Sequence, residues 1–357
     1  MRTTYYRNLA LFVLLSLLIG WGLTVSWPRV SLGDFGSFVA SGQAANAGLD
    51  PYAVHPLTLR GSQGEPYPNL NPPVLLPALQ LLAHVDPQSA FRLWYAVSLA
   101  LYILALALLA RAYPLTPWRL LWALALAGLW FGLWLGQVYT LLALGAVAVW
   151  VLLPRRPLWA GLLLGLLVAV KPNLAPWVGL LLLAGHWRPA LAATGTAAAL
   201  WLGALLAYGP AVYAQWLAAT STVTAFLVSD GAPWLVNLPL VGYPLAAALL
   251  LGAAVSCWRY RPEPLAVSAI ALPLVLVALP NSGIGYCLLL LPVLLSRPWS
   301  PLLTVAAALL LVPFWRLDSL SVWAHQIAAG LLLAALAHQP LIDPTARTCW
   351  LGKTRPQ

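Results

Sequence analysis

The chain has 357 residues, of which 62% are hydrophobic and only 7% charged, against roughly 25% charged in an average soluble domain. Its 8 carboxylates and 18 basic groups are too few to cover a water-facing surface of this size, and the high apolar content excludes disorder. The composition is that of a membrane protein with many spans, since a hydrocarbon core takes about 20 apolar residues per helix.

The net charge of +10 does not point to nucleic acid. Basic residues fix the orientation of membrane helices without binding anything. No basic run exceeds Arg155-Arg156, and no aromatic stacking surface accompanies it. Cys257, Cys287 and Cys349 are odd in number and far apart, so neither a disulfide framework nor a zinc site is expected. No metal and no cofactor is expected.

The first apolar stretch, Leu9 to Trp27, is too long for a signal-peptide core, and no A-x-A site follows it. It predicts an uncleaved first span over 8–27. Further apolar runs follow at 88–110, 118–135, 138–153, 157–170, 173–186, 189–207, 235–257, 264–279, 284–296, 299–315 and 320–337. The expectation is an all-α polytopic protein of about 12 transmembrane helices in one membrane domain, 1–357. Several runs are short, which predicts tilted or partly buried helices. Two long connections, 28–87 and 208–234, break the rhythm, and 338–357 forms a tail.

The first connection holds the densest polar set. Residues 33–47 look like a short surface helix, with Asp34 near its start. Asp34 there is either a helix cap or a carboxylate general base at the bilayer edge. Asp50, in GLDPY, reads as an Asp-Pro turn or a site residue, and His55 has no metal-spaced partner. Segment 73–84 (PVLLPALQLLAH) reaches only about 18 Å as a helix. It reads as interfacial or re-entrant, with a cytoplasmic N-terminus; in the rival arrangement it crosses and the N-terminus lies outside.

With that N-terminus, Arg2, Arg7, Arg111, Arg119, Arg155, Arg156, Arg188, Arg259, Arg261, Arg297 and the tail cations face inside. Most acids, Asp34 and Asp50 among them, face outside. This is a positive-inside pattern. Lys171, in AVKPNLAPW, falls at the outer face against a Pro-broken helix junction. There it either snorkels or holds a lipid phosphate, a role Arg92 and Arg316 can share. Gln137, in LWLGQVYTLL, breaks an apolar helix pair, either bonding helix to helix or lining a site. Asn281 and Tyr286, in ALPNSGIGYCLLLLP, repeat that layout. No Walker A loop, Rossmann fingerprint, HExxH or GxSxG occurs. The glycines of AGLLLGLL read as a helix-packing face.

The order DF…G-L-D-P-Y, NPPVLLPALQLLA, GQVYTLL, AGLLLGLLVAVKPNLAPW and PNSGIGYCLLLLPVLL resembles glycosyltransferase family 87, the bacterial membrane group that includes mycobacterial phosphatidylinositol mannosyltransferases. The resemblance runs from about residue 31 to 296. It implies a GT-C fold, a polyprenyl-phosphate sugar donor, mannose among the sugars, and an Asp of the first external loop as base. Only Asp34 stands at that position; Lys171 matches the family's K-P position and Gln137 its G-Q position. Asp50, Tyr52, His55, Asn71, Gln137, Asn173, Asn281 and Tyr286 then become substrate-binding or supporting residues. Two departures stand out: Tyr139 replaces the Asn of G-Q-x-N, and Gly285 takes the place of a late-turn His, leaving only Tyr286.

The resulting expectation is an inverting glycosyltransferase of the bacterial cytoplasmic membrane with its site facing outward. Its partners are a polyprenyl-phosphate sugar, a glycolipid or lipid-linked glycan acceptor, and membrane lipids, with no nucleic acid. The rival readings are a transporter or flippase, which Pro-broken helices also suit, and a non-catalytic homologue.

Overall fold

Proline sets the starting point of many helices. At the first helical position its missing N–H is one that no turn would use, and its fixed φ is already helical. The computed structural model describes residues 2–27, 32–60, 65–229, 235–238, 240–279, 283–313 and 318–338. In chain order the helices are α1 (Arg2–Ser26), α2 (Phe35–Asn46), α3 (Leu76–Leu82), α4 (Pro87–Ala112), α5 (Pro117–Ala125), α6 (Ala127–Leu135), α7 (Tyr139–Leu152), α8 (Pro157–Val170), α9 (Ala175–Leu183), α10 (Trp187–Tyr208), α11 (Pro210–Ser229), α12 (Gly242–Tyr260), α13 (Pro264–Ala278), α14 (Leu291–Leu295), α15 (Pro301–Leu309) and α16 (Asp318–His338). Pro opens α4, α5, α8, α11, α13 and α15, which is why breaks of a few residues suffice between apolar helices. Short 3-10 turns lead into α3 and α9 (Pro73–Leu75, Pro172–Leu174), and a longer one, Ile284–Leu290, leads into α14. A two-residue antiparallel ladder pairs Leu59–Arg60 with Glu65–Pro66.

Among the described residues four helices are long and apolar enough to cross a membrane: Asn8–Ser26, Pro87–Ala112, Trp187–Tyr208 and Ser319–Leu336. The α5–α6 pair makes a fifth if its 40° bend is one broken span. Leu126 leaves the helical region at that bend (ψ 127°). The freed amide of Ala127 donates instead to the Leu310 carbonyl, 3.2 Å away. The expected run at 118–135 is therefore two helices. Other expected spans are shorter apolar helices, among them α7, α8 and α13, so the count of about twelve does not follow from helix length. Leucines such as Leu206 (78% exposed), Leu17 and Leu251 (both 66%) face outward, a surface that suits hydrocarbon rather than water.

Inside, α13 is the central helix, with Ala266 to Ser268 and Ala271 to Ala278 all buried. Its Ser268 hydroxyl accepts from Trp177 Nε1 at 2.9 Å and donates to the Pro264 carbonyl. Similar internal bonds satisfy Trp122 Nε1 (to Ala307 O, 2.9 Å) and the Tyr102 hydroxyl (to Ala123 O, 2.6 Å). A medium without water requires this internal satisfaction.

Two features of the connections differ from the sequence reading, and a third agrees with it. The helix expected at the surface over 33–47 is α2, and Phe35, Phe38 and Val39 on it are buried. Gly36 and Gly42 allow this: a Cβ at either would strike the carbonyl oxygens of Leu57 and Leu79 respectively. The connection 208–234 is mostly a helix, α11. Segment 73–84 contains the ten-residue stretch Pro73–Leu82, about 15 Å long and too short to cross alone, packed on α2.

Because lipid is as apolar as leucine, helix association rests on close packing. Gly161 and Gly165 of α8, from the AGLLLGLL stretch, face α10 at Pro189, Ala192, Ala193 and Thr196, where any Cβ would overlap backbone oxygen. Replacing Gly165 by Val is expected to cost about 1–3 kcal/mol by overpacking, read as a lowered melting temperature of detergent-purified protein. The same change at Gly195, which has open space around it, should be far milder.

Candidate active site

Two glycine turns place the first polar pair. Gly33 (φ 54°) precedes Asp34, and Gly136 (φ 69°) precedes Gln137 and closes α6. Both adopt the left-handed region that suits glycine. Both also lack the Cβ that would separate the turns: at Gly33 it would lie 2.9 Å from the Leu135 backbone, and at Gly136 it would lie 2.6 Å from Phe35 Cβ. The turns therefore press together, and Gln137 Nε2 donates to Asp34 Oδ2 at 2.5 Å. The Gln137 side-chain oxygen Oε1 in turn accepts from the Val138 amide at 3.4 Å. Phe91 of α4 stacks on Phe35 with ring centroids 5.2 Å apart, closing the apolar side of this junction.

Asp34 sits at the N-cap of α2, yet its side chain makes no cap hydrogen bond. Asp86 shows the capping alternative. Its Oδ2 accepts from the Ser89 amide at 2.9 Å, and that bond holds the carboxyl below its ordinary range. The Asp34 carboxylate is committed across the fold instead, and both it and Gln137 remain half-buried.

Lys171 ends α8 in extended backbone (φ -136°, ψ 91°). Helices α7 and α8 form an antiparallel hairpin in which Gly145 faces the Leu167 side chain. That register sets Lys171 level with residue 141, about 6 Å along the axis from Gln137. Lys171 and Asp34 thus belong to the same end of the bundle, and Lys171 is half-buried, as is Asn173 beside it. Arg92 follows Phe91 on α4 but lies on that helix's exposed side. Arg316 and Asn281 lie outside the described residues, as do Cys349 and the tail from 339 onward.

The remaining loop residues form a braced platform. Asp50 Oδ1 accepts from the Tyr52 amide (2.8 Å), the Asp-Pro turn expected of GLDPY, and His55 Nε2 lies 3.0 Å from the Asp50 carbonyl oxygen. The Tyr52 hydroxyl donates to the Asn71 carbonyl at 3.0 Å. Burial, with the nearby Tyr213, Asp50 and Tyr208, pushes that phenol well above its ordinary range, so it stays a donor. Asn69 Oδ1 accepts from both the amide and the side chain of Asn71, each at 2.9 Å. Trp216 Nε1 donates to the Leu70 carbonyl, and the Tyr208 hydroxyl donates to Gln80. Asn69, Trp216 and Gln80 were not legible as site neighbours: Trp216 and Tyr208 reach Leu70 and Gln80 from distant parts of the chain, and Asn69 acts by bracing Asn71. Among the described residues no three His, Cys, Asp or Glu side chains gather where they could hold a metal ion.

Tyr139 and Gly285, the two positions at which the sequence departs from the pattern the resemblance implies, meet in space. A Cβ at Gly285 would overlap the Tyr139 ring. That ring packs against Tyr286 with centroids 5.3 Å apart, and both tyrosines are buried. The ring at 139 occupies the room that a side chain at 285 would need, so the volumes at the two positions are coupled.

These elements define a membrane protein with a half-buried carboxylate and a lysine at one end of its bundle. The model of glycosyltransferase family 87 matches residues 69–280, more than half of the chain. The chain belongs to glycosyltransferase family 87 and is a membrane glycosyltransferase, acting between a sugar donor and an acceptor. Comparison with curated proteins and with solved structures returns no match. The matched segment contains Asn71, Gln137, Lys171 and Asn173, whereas Asp34, Asp50, Tyr52 and His55 precede it and Tyr286 follows it.

Gly285→Ala is expected to destabilise the protein by about 1–3 kcal/mol through overpacking against Tyr139. In a Tyr139→Asn background the same change should cost less or stabilise. A double-mutant cycle of melting temperatures in detergent reads this coupling; equal costs in both backgrounds would refute it.

Proposed function

We propose that this glycosyltransferase takes its sugar, mannose among the candidates, from a polyprenyl-phosphate donor and passes it to a glycolipid or lipid-linked glycan. The reaction takes place at the outer face of the bacterial cytoplasmic membrane. The observation that carries this reading is the glycine-pinned Asp34 carboxylate, fixed by Gln137 at the same end of the α7–α8 hairpin as Lys171. Family membership favours a transferase over a transporter.

In this reading Asp34 accepts the proton of an acceptor hydroxyl as that oxygen attacks the anomeric carbon. The new C–O bond forms as the bond from that carbon to the phosphate oxygen breaks, and configuration inverts. Gln137 holds Asp34 in one orientation. The leaving polyprenyl phosphate gains negative charge, and Lys171, with Arg92 or Arg316, stabilises it as that charge develops. The phosphate leaves without being protonated, so one carboxylate suffices, unlike the pair of glycoside hydrolysis. The Tyr52–Asn71 platform, Asn173 and Tyr286 support the substrates, a role the sequence alone also assigns to Asn281. The charge asymmetry of the loops supports an outward-facing site, and a GT-C-like arrangement accommodates the short helices as tilted or partial spans.

Purified protein, assayed with radiolabelled polyprenyl-phosphate sugars and membrane lipid extract, tests this. Asp34→Asn is expected to lower transfer by about 100-fold or more while its melting temperature holds. Equal transfer by both forms would remove Asp34 as the base, and no transfer by the wild type would favour a non-catalytic homologue. Cysteine-accessibility labelling across 28–72 reads the side on which the loop lies.

A further inference from the structure

A groove of about 610 Å³ opens at the other end of the bundle, lined by Arg156, Pro157, Leu158, Trp159, Trp187 and Arg188. The 14 residues of α7 separate this end from Gln137 by about 20 Å, so it is no part of the Asp34 site. Its two guanidinium groups are exposed. So are its apolar walls: Leu158 is 57%, Trp159 61% and Trp187 56% accessible. The Arg188 guanidinium lies over the Trp187 ring, 5.3 Å from its centroid. Arg155 adds a third cation beside them. Pro262, whose carbonyl lies 2.7 Å from His186 Nε2, brings Glu263 to this end of the bundle.

Helix electrostatics make this cationic groove more unusual. The glycine contacts of α8 with α10 advance together along both chains, Gly161 to Pro189 and Gly165 to Ala193. The two helices therefore run parallel, and their N-termini stand side by side. Neither carries an acid in its first turn or a side-chain cap. Arg156 at the start of one and Arg188 in the first turn of the other add positive charge where the helix dipole favours negative. A bound anion relieves both the aligned dipoles and the paired arginines. A planar guanidinium matches phosphate oxygens two at a time. Leu158 and the indole rings offer a further surface that a free phosphate ion does not use but a lipid's glycerol and acyl chains do. Tryptophan is also the residue favoured at headgroup depth.

We propose that the groove between the N-termini of α8 and α10 binds the phosphate headgroup of an anionic phospholipid of the surrounding membrane. Arg156 and Arg188 hold the phosphate, and Trp159 and Trp187 flank the lipid below it. The test is thermal stability of the full chain in neutral detergent, titrated with phosphatidylglycerol, phosphatidylcholine or inorganic phosphate. Phosphatidylglycerol should raise the melting temperature, and the other two should not. Arg156→Gln with Arg188→Gln should weaken the apparent phosphatidylglycerol affinity at least tenfold while leaving the lipid-free melting temperature in place. If the double variant fails to fold, the two single variants read the same loss. Native mass spectrometry of the wild type should also retain phosphatidylglycerol in preference to phosphatidylcholine. An equal response to both lipids, an undiminished response in the variants, or full reproduction of the effect by inorganic phosphate would overturn the proposal.

Discussion

The contact on which the proposed chemistry depends is the meeting of two tight turns through their glycines. Gly33 and Gly136 both sit at positive φ, and each lies where a Cβ would collide with the opposite turn. Without that approach the Asp34 carboxylate would have stayed with the N-terminus of α2, as Asp86 stays with α4. With it, Asp34 is exchanged from a local role to a long-range one, bonded to a residue 103 positions away. A carboxylate fixed in this way is oriented by the fold before any substrate arrives, which is the condition for useful proton transfer.

The same dependence on close approach recurs through the bundle, and the solvent explains why. Hydrocarbon gives helices no reason to hide leucines, and many leucines here face outward. What distinguishes a packed from an unpacked helix face is then how near the backbones come. Gly161 and Gly165 seat α8 on α10, Gly145 admits the Leu167 side chain between α7 and α8, and Gly42 seats α2 on the backbone before α4. These contacts fix the register of the α7–α8 hairpin, and so bring Lys171 back to the end where Asp34 lies.

Much of this was legible in the sequence, and the rest was hidden for identifiable reasons. Apolar runs bounded by Pro gave the starts of α4, α5, α8 and α13 within a residue or two, because proline acts locally. Lys171, Gln137 and Asp34 stood out because polar groups are scarce in this chain. The burial of α2 was not legible: its Phe, Val and Ala residues also suit a helix lying in a headgroup layer, and only Gly36 and Gly42 hint at a close neighbour. The break at Leu126 was equally hidden. It depends on a carbonyl at Leu310, nearly two hundred residues away, taking the orphaned amide. Helix α11 was missed because its Thr- and Ser-containing sequence looked like a connection. The platform of Tyr52, Asn69 and Asn71 is held by bonds that mostly pair a side chain with a backbone group, which no side-chain pattern announces.

The fit of Tyr139 into the space above Gly285 also constrains history. A lineage that carries the ring at 139 cannot acquire a side chain at 285 in a single step without crowding a buried pocket. The ring must shrink first, leaving a temporary void, or the backbone of the late turn must give way. The order in which those two codons can change is therefore set by sterics, whatever selection later favours.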